Sequence, residues 1–347
     1  MTLISTAGPT RFQNDRPVAL WLTICAITIF AMVVLGGVTR LTDSGLSMVD
    51  WQPIMGVIPP LSEQDWQDTF EQYKQFPEYQ KVNLGMSLED FKPIFWFEYA
   101  HRVLGRTIGL VFGLPLAFFL IRRQLSPSLT WKLLGLFALG GLQGLMGWYM
   151  VKSGLVDDPM VSQYRLTAHL GLAVVIFASI LWLIFDLRYG DIRQTGPSPA
   201  AATRWTIIGL VLVMILSGGF VAGTRAGLLF GTWPLMGEHF FPVGLYAGGF
   251  LESAFEDPVT IQFNHRMLAY ITAAALIWFA FTHLRMQITA EAKKGLYLML
   301  GLLGLQIGLG IATILFRVPV ALGATHQGVA LLLLAAALFS CHRLGAR

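Results

Sequence analysis

The sequence predicts an all-α membrane protein whose eight transmembrane helices form two duplicated, parallel four-helix bundles. Three observations predict it: an apolar composition, eight windows long enough to cross a bilayer, and a series of motifs that occurs twice. Of the 347 residues 55% are hydrophobic and only 13% charged, and the mean hydropathy is +0.61, well beyond what a soluble globular domain carries. Ten Trp, nine Tyr and 24 Phe suit aromatic belts at the membrane interfaces, and 36 Gly suit closely packed helices. This composition excludes a disordered chain, a disulfide scaffold and a soluble enzyme. A formal charge of +4, with Lys and Arg scattered rather than striped, also excludes a nucleic-acid binder.

A helix needs roughly 20 apolar residues to cross the hydrocarbon. The windows are Pro17–Val38, His101–Ile121, Leu133–Val151, Leu166–Phe185, Trp205–Thr224, His265–Thr282, Gly295–Phe316 and Val318–Cys341. The second and sixth are weaker, since each opens with His-Arg. Every backbone polar group inside a bilayer needs an internal partner, so these windows are helices rather than open strands. The first is too long for a cleavable signal and lacks a small-residue cleavage site, which makes it a retained anchor. Cys25 and Cys341 lie in the first and last windows without the spacing of a metal or redox motif, and read as small buried apolar residues.

Basic residues in short loops set direction. With the amino terminus in the cytoplasm, the inner segments hold Arg11, Arg16, Arg122, Arg123, Lys132, Arg188, Arg193, Arg204, Arg285, Lys293, Lys294, Arg343 and Arg347, more than half of the 24 Lys and Arg. Both termini are therefore expected inside. The long loop from Arg40 to Lys92 and the loop from Arg225 to Gln262 then face outward, with enough Trp, Phe and Pro to lie along the membrane surface.

The duplication appears in short matched strings. Gly36-Gly37-Val38-Thr39-Arg40, then Ser44-Gly45-Leu46 and Trp51-Gln52-Pro53-Ile54-Met55-Gly56, recur as Thr224-Arg225-Ala226-Gly227-Leu228 and Trp233-Pro234-Leu235-Met236-Gly237. His101-Arg102-Val103-Leu104 matches His265-Arg266-Met267-Leu268, Leu142-Gln143 with Gly147 matches Leu305-Gln306 with Gly310, and Thr167-Ala168-His169 matches Ala324-Thr325-His326. Four helices map onto four in the same order. Because four is even, both copies enter from the same side, as parallel repeats. The expected division is residues 1–190 and 191–347.

The repeat also sorts the seven His. His101, His169, His265 and His326 fall in the opening turns of the even-numbered spans, towards the outer face, two in each bundle. A lone membrane His is usually an interhelical hydrogen bonder. Two per bundle, on its second and fourth helices, instead suit the gripping of a flat metal macrocycle, and haem ligation is the leading account. A zinc or non-haem iron centre needs three or more protein ligands, often with a carboxylate, and the second bundle has only its His pair. His239, His283 and His342 have no duplicated partner and are taken as interfacial polar residues.

Haem propionates need cationic partners. Arg102 and Arg266 follow the first His of each pair, while Arg40 and Arg225 close the first span of each copy, and arginine suits bidentate carboxylate pairing. Snorkelling anchors are the alternative for each. The copies differ at one telling position: Glu98 stands three residues before His101, and Gln262 three before His265. Residues at i and i+3 share a helix face, so an ionisable group flanks only the first site and chemistry is expected there. Glu98 would relay a proton or stabilise positive charge on a reacting carbon; alternatively it only pairs with Arg102.

The runs Gly37-Val38-Thr39-Arg40-Leu41-Thr42-Asp43-Ser44-Gly45-Leu46-Ser47-Met48, Trp51-x-Pro53 with Gly56 and Pro59-Pro60, and Phe97-Glu98-Tyr99-Ala100-His101-Arg102-Val103-Leu104-Gly105-Arg106 closely resemble the haem A synthases, cytochrome-oxidase assembly enzymes of mitochondria and many bacteria. Phe263-Asn264-His265-Arg266 and Thr325-His326-Gln327 match as well. The resemblance covers nearly the whole chain. It implies oxidation of a methyl group of haem O to a formyl group through successive hydroxylations, giving haem A. By position, His101 and His169 would flank the substrate haem with Glu98 as catalytic acid, and His265 and His326 would ligate a haem b cofactor through its iron. It also implies a bacterial inner membrane, an electron donor that the sequence does not name, and haem O synthase and terminal oxidase subunits as candidate partners beside lipid. Some bacterial members carry a cysteine pair in an outer loop. This sequence has none, so it resembles the mitochondrial and proteobacterial branch, and no thiol redox step is inferred. Methyl oxidation is beyond amino-acid side chains and needs a redox cofactor. Two rivals stay open: a di-haem b-type electron carrier, and a haem chaperone for oxidase assembly.

Overall fold

The computed structural model describes residues 15–48, 58–154, 160–190 and 201–345. Eight of its helices are long and apolar enough to cross a membrane. They are α1 (Asp15–Leu41), α4 (Leu88–Ile121), α5 (Pro127–Gly154), α6 (Gln163–Tyr189), α7 (Ala201–Gly223), α9 (Pro258–Leu284), α10 (Ala290–Leu315) and α11 (Val320–Gly345), with the short α2 (Glu63–Tyr73), α3 (Pro77–Lys81) and α8 (Phe250–Glu256) between them. Among the described residues no strand forms beyond one isolated bridge between Met236 and His239. In α1 no charge intervenes between Arg16 and Arg40, so the helix alone satisfies its backbone in lipid.

The four inner helices share one core. α1 packs on α6 and α11, α6 on α7, and α11 on both α6 and α7; α4 lies outside α1, α5 outside α6, α9 outside α7 and α10 outside α11. Buried Leu22, Leu133, Ile180, Ile207, Leu276, Leu296 and Leu334, drawn from seven of the spans, belong to a single apolar cluster. Close approach of α6 and α7 requires a missing side chain at Gly223, where a Cβ would stand 2.7 Å from the Gln163 Cα. The expected division after residue 190 meets the segment 191–200, which lies outside the described residues, as do Trp51, Gln52, Pro53, Ile54, Met55, Gly56, Arg11, Arg193 and Arg347.

α4 departs from its expected window. Its 34 residues span about 50 Å at 1.5 Å each, against a hydrocarbon core of about 30 Å. The helix therefore starts well before His101, in the polar stretch carrying Glu89, Asp90 and Lys92, and Ser87 caps it by accepting from the Asp90 N–H at 3.2 Å. This extension carries the long loop. α2, opened by a reciprocal Ser62–Asp65 capping box, and α3 set Phe70 and Tyr73 against Phe91 and Phe95 in a small separate core. Tyr73 and Phe91 stack with centroids 4.9 Å apart. Such pairs each contribute about 0.5–1.5 kcal/mol beyond their burial. The loop aromatics thus build a folded cap on α4 in addition to the exposed Trp96 and Phe97.

Candidate functional site

Each of the four duplicated histidines rests against a glycine near the end of a neighbouring span. A Cβ on Gly36 of α1 would lie 3.1 Å from His101 Cε1, and one on Gly218 of α7 would lie 3.5 Å from His265 Cε1. In the same way Gly147 of α5 faces His169 at 3.1 Å and Gly310 of α10 faces His326 at 3.0 Å. All four rings consequently sit at one end of the helix array. His101 lies within electrostatic range of His169, and His265 within range of His326. One expectation needs correcting: His169, His265 and His326 lie about two turns into their helices, but His101 lies almost four turns into α4, because the cap lengthens that helix outward.

Polar neighbours orient the rings. The Gln143 amide Nε2 stands 3.2 Å from His169 Nδ1 and donates to the His169 carbonyl at 3.1 Å, and Gln306 Nε2 stands 3.4 Å from His326 Nε2. Ser217 Oγ is 2.8 Å from His265 Nδ1. Nδ1 of His101 and of His326 is buried without a hydrogen-bond partner. Among the described residues no three His, Cys, Asp or Glu converge to hold a bare metal ion. Each donor set is a pair of imidazoles, the number a porphyrin iron accepts axially. The three other histidines lie apart: His239 pairs its carbonyl with Met236 N, His283 Nδ1 meets the Phe279 carbonyl at 2.7 Å, and His342 Nε2 meets Asp186 Oδ1 at 3.0 Å.

Glu98 and Arg102 are both buried and joined at 2.5 Å. The second Glu98 oxygen accepts from Ser47 Oγ at 2.8 Å and from the Met48 N–H at 2.7 Å, while Arg102 donates to the Met48 carbonyl at 2.6 Å. The acid thus fastens the chain after α1 over the His101 helix. In the other copy Gln262 donates to the Phe230 carbonyl at 3.2 Å, and Arg266 donates to the carbonyls of Phe230 and Leu235, each at 3.1 Å. Both copies use the same two positions to pin the same loop, and only the first does so with a carboxylate.

Arg40 and Arg225, expected as separate propionate partners, converge on one carboxylate. Asp43 Oδ1 lies 2.9 Å from Arg40 Nη1 and 2.8 Å from Arg225 Nη2. Arg40 also donates to the Gly223 carbonyl at 3.3 Å. Arg40 Nε and Arg266 Nε remain buried without a partner. Sequence reasoning missed the half-exposed Asp43 and a buried acid, Glu78 of α3, whose Oε2 has no partner. Burial, reinforced by the charge of Glu98, pushes the Glu78 carboxyl up to about 8. Gln143 and Gln306 were visible only as markers of the repeat.

Residues 19–338 match the family described as Cytochrome oxidase assembly protein. The chain belongs to that family. Proteins named Heme A synthase are similar to it along almost their whole length: that of Nitrosospira multiformis is 50% identical over 338 residues, 96% of this chain and 95% of the relative. Those of Nitrosomonas eutropha and Paramagnetospirillum magneticum are 46% and 49% identical, again over 96% of this chain and 95% of each relative. Membership and the eight apolar helices together make this an integral, multi-pass membrane protein.

Proposed function

We propose that the protein is a membrane oxidoreductase that converts haem O to haem A by oxidising a methyl substituent to a formyl group. The observation that carries the assignment is the pair of imidazole couples, each ring against a matching glycine, in a chain about half identical to a protein named Heme A synthase. Residues 1–190 form the substrate half and 191–347 the cofactor half, both termini are cytoplasmic, and the histidines lie towards the outer face of a bacterial inner membrane.

In the substrate half His101 and His169 hold the iron of haem O between facing helices. Glu98, one helical turn from His101, is the catalytic acid. Its carboxylate is fixed by Ser47, the Met48 N–H and Arg102, so it can hold or pass a proton at a set position without swinging into lipid. Gln262 in the other half cannot exchange a proton, which supports confining chemistry to the first.

In the second half His265 and His326 would hold haem b. When bound, that group supplies one-electron redox chemistry, which side chains lack. The unpartnered Nε of Arg40 and of Arg266 suit propionate carboxylates at the aqueous edge.

Extraction of haems from membranes that express the protein together with a supply of haem O, followed by chromatography, tests the assignment. Formyl haem or its hydroxymethyl precursor is expected. Unchanged haem O alongside two tightly held haems b points to an electron carrier, and unchanged haem O with exchangeable haem points to a chaperone; either outcome rejects the enzyme.

A further inference from the structure

The two copies treat their first histidine differently. Gly36 and Gly218 occupy equivalent places beside His101 and His265, but the residue before the glycine is Leu35 in one copy and Ser217 in the other. Ser217 Oγ lies 2.8 Å from the Met214 carbonyl, which can only accept, so the hydroxyl proton is committed there. Its oxygen is left to accept, and the contact at 2.8 Å to His265 Nδ1 is therefore an Nδ1–H donated by the ring. That bond fixes the tautomer, leaves the lone pair on Nε2 and sets the rotation of the ring. His101 Nδ1 is buried and has no hydrogen-bond partner.

We propose that Ser217 is a positioning residue that makes His265 a permanent haem ligand, and that the apolar Leu35 leaves His101 an exchangeable one. The proposal rests on the assignment of haem b to the second half and of substrate to the first. A cofactor must stay bound through many turnovers, whereas a substrate haem must enter and its product leave. An imidazole whose far nitrogen is hydrogen-bonded is a stronger and better-oriented donor, and loss of such a partner typically weakens metal binding about 10- to 100-fold. One hydroxyl thus distinguishes the first histidine of one copy from that of the other; the second histidines differ in the opposite sense, since Gln143 Nε2 lies 3.2 Å from His169 Nδ1 while His326 Nδ1 has no partner.

The test uses purified full-length protein in detergent and follows b-type haem leaving for excess apomyoglobin, together with the haem midpoint potential. Ser217→Ala is expected to speed that loss about 10- to 100-fold and to raise the potential, because a weaker donor stabilises ferric iron less. Ser217→Thr, which keeps the hydroxyl, restores both. Leu35→Ser is expected to slow exchange of haem from the first half. Unchanged loss and potential in Ser217→Ala overturn the proposal alone, provided that His265→Ala abolishes the b-type spectrum. If His265→Ala keeps that spectrum, the assignment of the halves fails and the proposal falls with it.

Discussion

Glu98 and Arg102 form a buried ion pair across one turn of α4 at 2.5 Å, and the same carboxylate receives the Met48 N–H of the loop after α1. The acid is therefore both a fastening for that loop and an ionisable group one helical turn from His101. Glu98→Gln separates these roles. The amide oxygen of a glutamine can still accept from Ser47 Oγ and the Met48 N–H, as the Glu98 Oε2 does, so folding and haem b content are expected to persist while haem A formation falls about 100- to 10,000-fold. Full activity in this variant, measured by haem extraction, contradicts a proton-handling role. Glu98→Ala, which removes the buried carboxylate from beside Arg102 and the acceptor of the Met48 N–H, is expected to cost about 3–5 kcal/mol of stability.

The glycines beside the rings predict a second pair of effects. A methyl on Gly310 would stand 3.0 Å from His326 Cε1, and one on Gly147 would stand 3.1 Å from His169 Cε1. Each must push its ring aside by a few tenths of an ångström, at a cost of about 1–3 kcal/mol. Gly310→Ala is expected to alter the b-type optical spectrum and Gly147→Ala to lower product formation, both with unchanged helix content by circular dichroism. A normal spectrum in Gly310→Ala means that His326 is not held against α10.

Glu78 gives the cap a pH dependence. Its carboxyl is raised from 4.5 to about 8 by burial and by the neighbouring charges of Glu98 and Asp43, with Tyr73 opposing as a hydrogen-bond donor. Between those values the folded protein keeps a proton that the unfolded chain has released. The stability this group contributes is complete below about pH 4.5 and is lost as pH rises towards 8. Melting temperatures in detergent are expected to decline across this window in the wild type and to decline less in Glu78→Gln. Equal slopes in the two proteins place Glu78 in water.

The eight spans were legible because lipid forces each crossing segment to satisfy its own backbone, which leaves a long apolar run in plain view. The four histidines were legible because the motif repeats, and the copies select His101, His169, His265 and His326 from seven. The polar start of α4 was not, since Glu89, Asp90 and Lys92 read as loop until the cap that packs on them is known. Ser217 was silent for the opposite reason: its counterpart Leu35 is apolar, so comparing copies gives it no weight. Asp43 joins Arg40 to Arg225 across 182 residues, a contact that no local pattern encodes.

The central claim is that each half holds one porphyrin iron between two imidazoles. Optical and electron paramagnetic resonance spectra of the purified protein supplied with haem, in the wild type and in single His→Ala variants, test it most directly. His265→Ala and His326→Ala are expected to lose the b-type signal, while His101→Ala and His169→Ala keep it and lose product formation. A preparation that binds no haem, or four variants that all keep the b-type signal, would contradict the account.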